Sequence, residues 1–92
     1  MTKIEIVREI ASKTGLPTKD VVVVVESLMN TIKTSMENGE EVFLRGFGSF
    51  IIKRRAEKTA RNISKNITVI VPAHDIPAFR PAKEFMEMVS KG

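Results

Sequence analysis

Three features of the 92-residue chain predict an α+β fold. Apolar side chains recur at helical spacing through the first 40 residues, alternating and glycine-punctuated segments follow from residue 41, and a short amphipathic stretch closes the chain. The length suits one domain over residues 1–92, with a helical body at 1–40, a sheet and an extended arm at 41–80, and a last helix at 81–90. The expected architecture is therefore two N-terminal helices, a three-stranded antiparallel sheet extended into a β-ribbon arm, and a short C-terminal helix.

Helix one is predicted over about residues 3–14. Thr2 and Glu5 form a capping box, Ile4, Val7, Ile10 and Ala11 repeat at steps of three and four, and Gly15 supplies a left-handed stop. Helix two starts at Pro17 or Thr18 and carries Val21, Val25, Leu28, Ile32 and Met36 to an end at Asn38 and Gly39. Its five consecutive valines favour a strand by local preference, because branching at Cβ restricts them in a helix; four turns of sustained periodicity outweigh that preference. Valines on several faces imply a helix buried by more than this small chain supplies.

Val42 and Leu44 alternate with Phe43 in a first strand, Gly46 to Gly48 punctuate, and Phe50 to Ile52 begin a second. Phe47 and Phe50 read as packing anchors, since no second aromatic row accompanies them to stack bases. Residues 67–71, ITVIV, are a third strand that pairs back, with Pro72 and Pro77 limiting its ladder. The last helix starts near Pro81, with Phe85, Met88 and Val89 as its apolar side. Core and dimer positions are expected at Leu28, Ile32, Leu44, Phe47, Phe50 and Phe79.

Composition excludes several classes. The chain has no cysteine and one histidine, which removes disulfides, thiolate chemistry and most structural zinc sites, and leaves few general acids or bases. His74, in VPAHDIP, reads most simply as a loop or strand-end residue. No catalytic residue, metal, cofactor or small-molecule substrate is expected. The longest apolar run, Val21 to Val25, is too short to span a bilayer, and the N-terminus lacks the pattern of a signal peptide, so a cytoplasmic protein is expected.

The charge is unevenly spread. Arg45, Lys53, Arg54, Arg55, Lys58, Arg61 and Lys65 stand against Glu57 alone, a net plus six, while the other residues carry eight cations and ten acids; together these give the formal net charge of +4. A basic segment on a slightly acidic body points to a polyanion. Within it, RRAEKTARNISKN at 54–66 holds a single large apolar side chain, Ile63, and is too long for an ordinary hairpin loop. It is expected to be a projecting arm, mobile until something orders it.

The pieces GLPTKD (15–20), RGFGSF (45–50), ARN (60–62), VPA (71–73) and IPAFRPAKE (76–84) are individually weak. In this order and spacing the chain resembles the bacterial histone-like HU and integration host factor family over its whole length. The resemblance implies an intertwined dimer whose two β arms, with tips at about 54–70, embrace double-stranded DNA through its minor groove. It implies arm contacts from Lys53, Arg54, Arg55, Lys58, Arg61, Asn62, Ser64, Lys65 and Asn66, and flanking contacts from Lys3, Arg45, Gly46, Arg80 and Lys83. At the tip the family usually reads arginine, asparagine, proline, and the proline wedges between base pairs; Ile63 stands in its place here, and large apolar residues including isoleucine serve as such wedges. Asn66 takes a position that is often glycine, and Met86 one that is often lysine.

For Lys3 and Lys83 purely structural roles compete, an exposed first turn and an ion pair with Glu87. The function so implied is architectural: binding DNA with little sequence preference, favouring bent, nicked or junction forms, bending it and compacting the nucleoid. A site-specific subunit of the integration host factor type, working as a heterodimer, and a protein- or membrane-interaction module with a basic arm are the alternatives. A magnesium nuclease is disfavoured because no acidic cluster stands at ligand spacing.

Overall fold

The computed structural model describes residues 1–62 and 64–91. Its elements run α1 (Lys3–Thr14), α2 (Thr18–Glu37), β1 (Val42–Leu44), β2 (Gly48–Arg55), β3 (Lys58–Asn62), β4 (Ile67–Val71), β5 (His74–Pro81) and α3 (Lys83–Ser90). Both termini of α1 are closed as expected. The Thr2 hydroxyl accepts from the Glu5 amide at 3.3 Å, the Thr2 amide donates to Glu5 Oε1, and Gly15, at φ 75°, donates to Ala11 O. Its left-handed backbone satisfies a helix-end carbonyl with no Cβ to object.

The strands depart from the expected pairing. Residues 67–71 do not return onto the second strand; they pair with β3 as a separate two-stranded ribbon, and β5 supplies the third strand of a β1-β2-β5 sheet. The segment at 54–66, expected as a projecting arm, ends β2 at Arg55 and supplies β3, and a turn at residues 64–66 closes the ribbon. Its alternation of Lys, Thr, Ala, Arg and Asn has no apolar period to announce it, and only the partner ITVIV makes it a strand. The two ladders are separated by Ala56-Glu57 on one side and Pro72-Ala73 on the other, where proline has no N–H to continue the bonding.

Pro77 does not break β5. It lies opposite Ile52, whose amide points the other way and donates to Glu41 Oε2 at 2.8 Å. In such a pair the proline nitrogen faces the open edge of the sheet, where no donor is needed.

Burial is sparse. Val7, Val21 and Ile51 are the buried apolar residues among those described, while Val23 and Val24 are each 66% exposed and Leu28 is 50% exposed. Of the six expected core or dimer positions, Leu28, Phe47 and Phe79 are exposed and Ile32, Leu44 and Phe50 half-buried within one chain. In α3 only Phe85 packs, and Met88 and Val89 are over 70% exposed, at 71% and 72%. The radius of gyration, 18.7 Å, exceeds the roughly 12 Å of a compact domain of this length. The physical reason is shape: a chain this extended has too little volume to enclose its own apolar surface.

What packing there is centres on aromatic rings. Phe79 stands 5.0 Å from Phe50 and 5.1 Å from Phe47, and Phe47 stacks on Phe85 of α3 at 5.3 Å. The Ala82 amide donates to Phe47 O at 2.9 Å and so ties the β1–β2 turn to the start of α3. Gly48 makes this close approach possible, since a Cβ there would meet Arg80 O and the Phe79 ring at 2.6 Å. Gly48→Ala is expected to cost about 1–3 kcal/mol by overpacking, read as a lower urea midpoint with an unchanged slope.

Candidate nucleic-acid interface

The register between β2 and β5 sorts side chains onto two faces, because successive residues of a strand point to opposite sides. Gly48↔Pro81, Phe50↔Phe79, Ile52↔Pro77 and Arg54↔Asp75 share one face; Ser49↔Arg80, Ile51↔Ala78, Lys53↔Ile76 and Arg55↔His74 share the other. The first face carries the aromatic cluster. The second carries Lys53, Arg55, His74 and Arg80, all exposed, in a row of roughly 20 Å at the usual rise per residue.

This sorting divides the expected contacts. Lys53, Arg55 and Arg80 come together on one face. Arg54, expected among them, does not join: it lies on the aromatic side, where its Nη1 donates to Asp75 Oδ1 at 3.2 Å. Asp75 was not singled out in the sequence because the pairing spans 21 residues and depends wholly on register.

On the ribbon the same rule separates Lys58 from Arg61. Lys58, Ala60 and Asn62 face with Val71, Val69 and Ile67, whereas Thr59 and Arg61 face with Ile70 and Thr68. One ribbon face is therefore apolar apart from Lys58 and Asn62, and Ile67 and Val69 on it are exposed.

Two tip residues expected to meet DNA also shape the tip itself. Arg61 Nη2 donates to Asn66 Oδ1 at 2.6 Å, and Asn62 Oδ1 accepts from Ser64 Oγ at 2.8 Å and from the Lys65 amide at 3.3 Å. Asn66 takes the left-handed conformation, φ 50°, which asparagine adopts at little cost. Ile63, the expected wedge, lies outside the described residues. Ser64, Lys65 and Asn66 are exposed.

The flanking candidates differ in availability. Lys3 Nζ donates to Glu26 Oε1 at 2.7 Å, bridging α1 and α2; this hydrogen bond, and then the ammonium charge, hold the Glu26 carboxyl below the usual carboxylate range. A phosphate contact by Lys3 exchanges one anion for another. Lys83 stands 4.0 Å from Glu87, an exposed pair worth little. Arg45 is exposed in the β1–β2 turn, and Gly46 adopts φ 81° there.

A family model described as "Bacterial DNA-binding protein" matches residues 1–90. The chain belongs to this bacterial DNA-binding protein family. Its relatives include the integration host factor subunit beta of Marinobacter nauticus, 43% identical over 98% of this chain and 93% of that protein. DNA-binding protein HU of Clostridium pasteurianum is 34% identical over 99% of this chain and 100% of the other. The fold agrees with the HU of an Anabaena HU–DNA cocrystal structure at a TM-score of 0.94 and 34% identity, with all of both chains covered. HU from Thermotoga maritima matches at 0.70 and 28%, over 98% of this chain and 100% of that one. The resemblance read from RGFGSF and IPAFRPAKE is thereby established across the family domain, helices and arm together. No helix among the described residues is long and apolar enough to cross a membrane.

The tip bonds carry a prediction. Asn62→Ala removes the acceptor that gathers Ser64 and Lys65, and faster amide hydrogen exchange is expected over residues 64–66, with protection of β2 and β5 unchanged.

Proposed function

We propose that the protein is an architectural DNA-binding protein of the HU type, working as a dimer that grips duplex DNA along its cationic sheet face and lays two ribbon arms in the minor groove. The observation that carries this is the sorting of Lys53, Arg55 and Arg80 onto the face opposite the aromatic cluster, leading toward a ribbon that adds Lys58, Arg61 and Lys65. The cations stand on the face opposite the rings, at either end of a centre held by the buried Ile51, and offer exposed positive charge to a polyanion.

A second copy is needed by the packing side. Leu28, Phe47 and Phe79 are exposed in one chain, and a cleft bordered by Met29, Ile32 and Met36 of α2 and by Phe50, Ile52 and Pro77 of the sheet lies open. Covering these faces supplies about 25 cal/mol per Å² of apolar area removed from water.

Affinity comes from charge. If the two arms and bodies neutralise roughly eight phosphates, the log-log salt slope is about minus seven. Ile63 enters the base stack as the wedge. Its burial returns about 1.5–3 kcal/mol, against the few kcal/mol of unstacking typical of minor-groove architectural proteins, HU and integration host factor among them. The terms nearly cancel, so the wedge shapes the DNA more than it tightens the complex. Weak sequence preference follows, because the minor-groove code is degenerate and deformable sites cost less to bend.

The protein is expected in the cytoplasm, on the nucleoid, where it compacts DNA without catalysing a reaction. The similarity to an integration host factor beta subunit favours a second reading, a site-specific heterodimer subunit. Competition of one labelled duplex against random sequence separates the two, since a specific factor resists by several orders of magnitude.

The decisive experiment is the electrophoretic mobility of intact, nicked and four-way-junction DNA at two salt concentrations; loss of all binding at low salt removes the proposal. Arg55→Ala is expected to flatten the salt slope by about one per arm, whereas Arg54→Ala, which deletes a residue on the opposite face, leaves it near the parent value. Ile63→Ala is expected to lower the bend angle in a fluorescence-transfer assay while the salt slope holds; equal bending by both proteins excludes the wedge.

A further inference from the structure

We propose that His74 is a proton-linked phosphate contact: the protein takes up a proton at this ring when it binds a duplex, and grips more tightly as pH falls through the range where imidazoles titrate. The inference rests on the DNA-binding reading above. It concerns a residue that neither the family motifs nor the basic run of the sequence picks out.

Placement is the first observation. His74 opens β5 opposite Arg55, on the face that also carries Lys53 and Arg80, and it is exposed. It stands at the junction where the sheet gives way to the ribbon, with Pro72-Ala73 between it and β4. A duplex held by Arg55 at this point runs past the ring as well.

The second observation fixes the chemistry of the ring. His74 Nδ1 lies 2.9 Å from Pro72 O. A carbonyl oxygen only accepts, so Nδ1 carries the hydrogen and Nε2 of the neutral ring holds a lone pair. Towards a phosphate that lone pair is repulsive. Protonation at Nε2 turns it into a charged donor without disturbing the bond to Pro72, which keeps the ring oriented in both states.

The surrounding charges set the sign. Arg55 across the strand pair and Lys53 two residues along it present positive charge on the ring's own face, and Arg80 lies farther along. Asp75, the adjacent carboxylate, points to the opposite face and pairs with Arg54 at 3.2 Å; Glu57 stands in the break between β2 and β3. A bound phosphate brings negative charge to this face and favours a cation beside it, so binding and proton uptake reinforce each other.

The test compares the full-length parent protein with His74→Asn and His74→Lys on one duplex at fixed ionic strength. Asparagine keeps a donor near the Nδ1 position and deletes Nε2. The parent is expected to bind about tenfold more tightly at about pH 5.5 than at about pH 7.5, roughly threefold per arm of the dimer. In His74→Asn the ratio falls close to one, every other titrating group being kept. His74→Lys, charged throughout, binds at about pH 7.5 as the parent does at the lower pH. Because His74 is the single histidine of the chain, its ring protons report directly by NMR, and their titration midpoint is expected to move to higher pH when the duplex is added. An unmoved midpoint, or the same pH ratio in His74→Asn as in the parent, overturns the proposal while leaving DNA binding intact. A parent that binds no DNA at either pH overturns the reading beneath it as well.

Discussion

Because Phe50 sits opposite Phe79 and Arg55 opposite His74, a single antiparallel register decides which side of the sheet carries the rings and which the cations. A slip of one residue would reverse every side chain of β2 relative to β5. Arg55 would then face the aromatic cluster and Arg54, now bound to Asp75, the cationic row. Three local features hold the register in place. Gly48 admits the Phe79 ring where any Cβ would collide, Glu41 takes the Ile52 amide that β1 is too short to reach, and Pro77 presents its missing donor to the open edge.

The arm extends this sheet but does not simply continue it. Pro72 interrupts the ladder, and beyond it the ribbon folds on its own pairing and on a tip built from side-chain bonds. Arg61 and Asn62 are consequently occupied in the free chain, holding Asn66, Ser64 and Lys65. On the proposed reading, contacts of Arg61 and Asn62 with a duplex would have to compete with these bonds.

One chain is stable only to the extent that its apolar faces find cover. The ring cluster of Phe47, Phe50, Phe79 and Phe85 is assembled within the chain, yet two of its members are still exposed. The valines of α2 point in several directions for the same reason. Folding of the body and association of two copies are thus expected to be one event, with stability tied to protomer concentration.

Short-range chemistry was legible in the sequence. The capping box at Thr2 and Glu5, the left-handed stop at Gly15, the long second helix despite its valines, and the dense cationic segment all depend on residues within a few positions of one another, as did the family motifs. Tertiary structure alone decided the partnership of distant strands. Residues 58–62 carry no strand period until ITVIV is placed beside them, and β5 contains two prolines that argue against a strand until its edge position is known. The same long-range register removed Arg54 from the cationic face and put His74 on it. Adjacent arginines look equivalent in a charge count, but alternation across a pleated sheet separates them, and which of the two joins the cationic row is fixed only by what lies across the ladder.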